Sequence, residues 1–243
     1  MERYTDGWKS AALGKHMEIA VYGHYGPSLL FFPFDGEDHS SAEQHELIAS
    51  AQTHLDAGRV KIYAINSIDK ESWLNEEITP RQKSIRHQKY NKYIIDEVVP
   101  FIARNMSSGR PVIYTSGISL GALHAVNTYL RRPDLFQGTI GISGNYDLKA
   151  YTNGYYDNDV YFNSPQDYLA NLTGPLLNNL RQKQKISLLS GQGDGENPNA
   201  SRALGEMLSS KGIPNWVDLW GEEFGHNWDA WRAMFRTAIE RNF

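Results

Sequence analysis

The chain has 243 residues, 40% hydrophobic and 21% charged, which is enough for one domain with a substantial core. A net charge of −4 with no basic block leaves no electrostatic footprint for nucleic acid. The absence of cysteine excludes disulfides, thiolate metal sites and a cysteine nucleophile together.

The N-terminal stretch MERYTDGWKSAALGKHMEIAVYGHYG lacks the apolar run of a secretory signal. No run of about 18 apolar residues occurs anywhere. The expectation is a cytoplasmic protein with no membrane partner, in which the sequon at Asn171 carries no meaning.

In chain order, MEIAVYG and SLLFFPF read as strands, with an antiparallel start to the sheet. SSAEQHELIASAQTHLDAG reads as one helix, capped by Ser40 or Ser41 and stopped by Gly58. After the strand VKIYAINS, residues 80–106 carry a long helical pattern with Ile94, Val98, Phe101 and Ile102 on one face. Pro100 within it predicts a kink or break near Val99. RPVIYTSG is a buried strand, LGALHAVNTYLRR a helix and GTIGISG a strand. KISLLSG (strand), ASRALGEMLSSKG (helix), NWVDLWG (strand) and WDAWRAMFRTAIERNF (helix) complete the series. Such alternation predicts one α/β domain over 1–243, its mostly parallel central sheet covered by helices on both faces. Residues 147–175 break the rhythm and read as a tyrosine-rich insertion with no clear period.

Ligands of an open parallel sheet bind beyond the carboxyl ends of its strands, so reactive residues directly after strands are the candidates. Ser119 in TSGISLGALHA stands where a strand meets a helix. Glycines two before and two after it relieve the crowding of a sharp turn. That makes Ser119 the candidate nucleophile and the Leu120 N–H, at the helix start, an oxyanion donor. In the near-copy GISGN the second glycine is displaced and no helix follows, so Ser143 reads as structural. Asp194 and Glu196 in QGDGENPN follow a later strand, and either could orient a histidine. His226 in WGEEFGHNWDAW follows the last strand as candidate general base. Serine, acid and histidine, each after a successive strand, is the chain order of an α/β-hydrolase. FFPFDGEDHSS follows an early strand, and the N–H of Phe34 or Asp35 is the candidate second oxyanion donor. Tyr155, Tyr156 and Tyr161, with Tyr151, are candidates to line an acyl or alcohol pocket.

Other chemistry finds little support. His39, His45 and His54 lack paired metal-ligand spacing, and DNDVYF at Asp157 departs from a calcium loop at Tyr161 and Phe162. No metal or cofactor is expected.

These motifs resemble the esterase branch of the α/β-hydrolases that includes esterase D, enterochelin esterase and the antigen 85-type mycolyltransferases. YGHYGPSLLFFPFDG resembles its entry strands and oxyanion loop. GISLGALHAVNTYLRRPDLFQGTIGISGNYDL resembles its nucleophile elbow, the helix after it and the next strand. KGIPNWVDLWGEEFGHNWDAWRAMF resembles its closing strand, histidine turn and last helix. GYYDNDVYFNSPQDYL is similar to a small bacterial subgroup of cytoplasmic esterase-like proteins, whose GQGxxE form favours Glu196 over Asp194. The resemblance implies a serine hydrolase of small-molecule carboxylic esters, with Ser119 as nucleophile and His226 as base. An acyltransferase with the same acyl-enzyme, or a non-catalytic binding protein on this scaffold, are the alternatives. Substrate and oligomeric state are not encoded in any motif.

Overall fold

Eight strands hydrogen-bond into a single sheet in the computed structural model, which describes residues 2–106, 111–183 and 185–243. They are β1 (Arg3–Lys9), β2 (His16–Tyr22), β3 (Ser28–Phe32), β4 (Lys61–Ile65), β5 (Ile113–Ile118), β6 (Phe136–Ile142), β7 (Ile186–Ser190) and β8 (Trp216–Leu219). The spatial order is β1-β2-β4-β3-β5-β6-β7-β8. β2 runs antiparallel to both its neighbours, and every other pairing is parallel.

Burial explains the composition of the strands. SLLFF of β3 and ISLLS of β7 are buried at every position, as central parallel strands with both faces covered must be. Six longer helices provide the cover: α1 (Pro80–Tyr93), α2 (Val99–Arg104), α3 (Leu120–Arg131), α4 (Gly174–Arg181), α5 (Pro198–Ser210) and α6 (Trp228–Asn242). Residues from α1 to α5, among them Tyr93, Phe101, Leu123, Leu180 and Leu204, form one apolar core. Leu47, Ile48 and Leu55 join Trp231, Phe235 and Ile239 of α6 in a second core on other strand positions. Phe31 and Phe32, adjacent in β3, fall into different cores, as the period of two along a strand requires. Among the described residues no helix is long and apolar enough to cross a membrane.

Several elements differ from the sequence expectation. β1 was not expected, because RYTDGWK is a largely exposed edge strand with no alternating apolar face. β2 is antiparallel as expected, but β4 lies between it and β3. The expected helix after Ser40 is three short turns, Ser41–Gln44, Leu47–Ser50 and Gln52–Asp56. Glu46, at φ 60°, breaks the first from the second, and Ser40 makes no side-chain cap bond. Pro100 causes no break: a π turn over Ile94–Val98 widens the helix and carries the chain directly into α2. Helix α1 instead owes its start to a capping box, in which Thr79 and Gln82 satisfy each other's backbone N–H. The first residue of RPVIYTSG lies outside the described residues. The insertion over 147–175 is built of helical turns, and the DNDVYF start is one of them, with Asp157 accepting from the Val160 N–H as its cap.

One contact sets the spacing between sheet and helix. A methyl group on Gly121 would meet the backbone oxygens of Pro33 at 2.3 Å and Phe32 at 2.5 Å. Only glycine lets α3 lie this close to the end of β3. Gly121→Ala is therefore expected to lower the melting temperature by at least about 5 °C, measured by circular dichroism. An unchanged melting temperature would mean that the two segments move apart without cost.

Candidate active site

The strand-to-helix turn after β5 holds Ser119 at φ 55° and ψ −118°, a backbone conformation that costs an ordinary residue energy. Its N–H is pinned to the carbonyl of Ile142 at 2.9 Å, and its carbonyl accepts from Ala122 at 3.0 Å. The side chain is thereby pushed out beyond the sheet, where its Oγ lies 3.2 Å from Nε2 of His226.

His226 is placed by the turn between β8 and α6. Its N–H donates to the Asp194 carbonyl at 2.8 Å, and the Gly193 N–H donates to the Phe224 carbonyl at 2.9 Å. A side chain at Gly193 would meet the Glu222 carbonyl at 2.4 Å, so this backbone pairing needs glycine there. Asn227, directly after the histidine, caps α6 by accepting from the Ala230 N–H at 3.1 Å.

Of the two candidate acids, Glu196 is the one brought to the imidazole. Its Oε1 lies 3.5 Å from His226 Nδ1, slightly long for a hydrogen bond, and Nδ1 is buried with no other partner. The Asp194 side chain is exposed, and that residue meets His226 through its main chain. The Glu196 side chain has no exposed surface, whereas that of His226 keeps 25%. A buried carboxylate needs donors, and two serines supply them. Ser143 donates to Oε1 at 2.5 Å and Ser190 to Oε2 at 3.1 Å. Ser143 in turn accepts from the Trp231 indole N–H at 3.1 Å.

Ser143 stands at φ 53°, close to the φ of Ser119. The two serine turns, GISLG and GISGN, thus share a twist, and one hydroxyl faces the histidine while the other faces the acid. The reading of Ser143 as structural missed that it touches Glu196. The displaced glycine of GISGN was the available signal, because a methyl on Gly144 would meet the Ala122 side chain at 2.8 Å.

Aromatic packing around His226 comes from Phe34 and α6. The Phe34 ring lies 6.2 Å from that of His226 and 5.0 Å from that of Trp231, and Trp231 meets the His226 ring edge-on at 4.8 Å. Tyr155, Tyr156 and Tyr161 bond to Asp157, Asp167 and Asn171, and none of their hydrogen bonds or ring contacts reaches Ser119 or His226. For Tyr151, burial first, then the charges of Asp35, Asp69 and Asp147, push the phenol up to about 12.

Among the described residues, neither the Phe34 nor the Asp35 N–H donates to another backbone group. The Leu120 N–H is engaged. It donates to the side-chain Oδ1 of Asp35 at 3.1 Å.

Behind this site lies a second polar cluster that sequence reasoning did not find. Asp69 and His124 are hydrogen-bonded at 2.8 Å with side-chain exposures of 0% and 4%, and Ser67 donates to the other carboxylate oxygen at 2.6 Å. Burial would raise the Asp69 carboxyl, but the His124 imidazole and the hydrogen bonds from His124 and Ser67 hold it below its ordinary value. His87 stacks on His124 with ring centroids 4.8 Å apart, and its Nδ1 is buried without a partner. Burial, then the neighbouring His124, keep His87 neutral well below its usual 6.5. Of the histidines weighed as ligands, His39 bonds to Asn66 and His45 stacks on Trp228. Among the described residues no group of three or more histidine, aspartate or glutamate side chains is placed to hold a metal.

Two expectations follow. Ser143→Ala, which keeps the Cβ and so the backbone strain, leaves a buried carboxylate oxygen without its donor. It should cost about 1–3 kcal/mol of stability in urea unfolding and lower kcat more than it raises KM. The second concerns acid. An unfolded chain binds the proton that native His87 refuses, so His87 makes stability fall as pH drops below about 6.5, until its depressed native value is reached. His87→Phe should reduce that slope by up to about 1.4 kcal/mol per pH unit in unfolding curves taken at pH 7.5, 6.5 and 5.5.

Comparison with known proteins bears on this geometry. A profile of the family described as "Putative esterase" matches residues 10–242. No curated protein matches the chain. Among solved structures, a ferulic acid esterase superposes with TM-score 0.76 at 17% identity, covering 98% of each chain. An S-formylglutathione hydrolase from Agrobacterium tumefaciens gives 0.74 at 13% identity, covering 98% of this chain and 95% of its own. MPT51 (FbpC1) of Mycobacterium tuberculosis gives 0.69 at 14% identity, covering 97% of each. At these identities the likeness is one of fold.

Proposed function

From the premise that this chain belongs to the Putative esterase family, and so hydrolyses esters, we propose that it does so through an acyl-enzyme on Ser119. The observation that carries the proposal is the array of Ser119 Oγ, 3.2 Å from His226 Nε2, and Glu196, 3.5 Å from Nδ1.

In the first step Nε2 of His226 accepts the Ser119 proton as Oγ attacks the ester carbonyl carbon. The negative charge gathers on the carbonyl oxygen, toward the Leu120 N–H and the N–H groups of Phe34 and Asp35. Glu196, held by Ser143 and Ser190, stabilises the imidazolium and keeps the ring in the tautomer that leaves Nε2 free. The imidazolium then protonates the leaving alcohol, and a water activated by the same nitrogen releases the acid. The partly buried rings of Phe34 and Trp228 suit a small, apolar group of the ester. The substrate is thus a small-molecule ester and no cofactor enters the cycle. We place this activity in the cytoplasm.

The test is hydrolysis of a short-chain nitrophenyl ester by wild type and Ser119→Ala, with matched circular dichroism and fluorophosphonate labelling. Wild type should turn over and label. The variant should fold, fail to label and lose at least about 10³-fold in kcat. Equal activity of the two would remove Ser119 from the reaction.

A further inference from the structure

The Leu120 N–H is the main-chain donor that the elbow aims at a developing oxyanion, yet the Asp35 carboxylate holds it at 3.1 Å. A carboxylate at a helix start is favourable in itself. Here, however, it competes with the substrate. Among the described residues no lysine, arginine or histidine forms an ion pair with Asp35. It is a half-buried carboxylate beside the elbow that none of them pairs, although the Lys70 stem packs against the neighbouring Gly36.

A neutral ester exchanges poorly with it. Its carbonyl oxygen takes the N–H but offers the displaced carboxylate nothing, and two negative charges then crowd one end of α3 in the transition state. An ester with an ammonium group on the carbon next to the carbonyl exchanges well. The carbonyl oxygen takes the Leu120 N–H, and the adjacent ammonium gives Asp35 a charge-assisted partner a short side-chain rotation away. An α-ammonium sits on the acyl side of the scissile bond, one carbon from the carbonyl whose oxygen would take the Leu120 N–H that Asp35 holds.

We propose that Asp35 is a specificity-determining residue that selects esters of α-amino acids, pairing their ammonium with the carboxylate that otherwise occupies the Leu120 N–H. This rests on the acyl-enzyme reading and adds its acyl substrate class. The bond changes are those of ester hydrolysis. The Ser119 Oγ–carbonyl carbon bond forms, the ester C–O bond breaks and His226 passes the proton to the alcohol. Water then cleaves the aminoacyl-enzyme to the free amino acid and Ser119.

The experiment compares kcat/KM for the benzyl esters of L-alanine, N-acetyl-L-alanine and propionate at pH 6.5, in wild type, Asp35→Ala and Asp35→Asn. Intrinsic ester reactivity cancels when the ratio of cationic to neutral substrate is compared between proteins. Wild type should favour the L-alanine ester, and both substitutions should cut the ratio by about tenfold or more. The Asp35→Ala variant should also gain activity on propionate, because its Leu120 N–H has lost a competitor. Asp35→Asn, nearly isosteric, answers the question should the alanine variant fail to fold. An unchanged ratio in a folded variant, or a wild type that prefers propionate, overturns the proposal. A protein that labels with fluorophosphonate at Ser119 but cleaves none of the three esters overturns the substrate class alone. One that neither labels nor cleaves overturns the acyl-enzyme reading as well.

Discussion

The crossing of helix α3 over the end of strand β3 is the constraint on which the site depends. Gly121 brings two backbones to within a methyl's width, and this one approach does two things. It holds the turn at Ser119 in a conformation that faces the hydroxyl outward. It also carries the loop after β3 over the start of the helix, so that Phe34 reaches His226 and Asp35 reaches the Leu120 N–H. A wider spacing would separate the serine from the loop that completes its surroundings.

The acid side of the site is held by a different means. Glu196 is taken wholly out of water, which would be costly for a lone carboxylate. Two serine hydroxyls and, behind one of them, the indole of Trp231 replace the lost solvent. Because Trp231 belongs to α6 and its ring also meets His226 edge-on, the same side chain braces His226 directly and Glu196 through Ser143. The polar cluster of Asp69, His124 and His87 lies deeper and ties the loop after β4 to the middle of α3. Its charge and aromatic stacking make it a second buried polar network in a domain otherwise closed by apolar cores.

Much of this was legible in the sequence, for local reasons. The elbow could be read because glycine spacing, a buried strand and a helix all fall within a dozen residues. The histidine turn could be read because it follows the last strand, in a glycine turn before the final helix. Residue types alone left Asp194 and Glu196 open, and only the GQGxxE likeness favoured Glu196, because the path of the turn's backbone decides which carboxylate faces the imidazole. Ser143 meets Glu196 across 53 residues, and Asp69 meets His124 across 55, so no local window contains either pair. The break at Glu46 was hidden because a left-handed glutamate carries no signal of its own, and β1 was hidden because an exposed edge strand has no buried face to imprint a pattern.

The backbone bonds between the Gly193–Asp194 turn and the Phe224–His226 turn have a mechanical consequence. They join two loops from neighbouring strands into one plate, with Glu196 on one half and His226 on the other. Any drift of the plate moves both groups together and keeps their mutual distance, while altering only their distance to Ser119. The distance between Ser119 and His226 is therefore set by the gap between these joined turns and the elbow. Insertions or deletions within either turn would break this pairing and part Glu196 from His226.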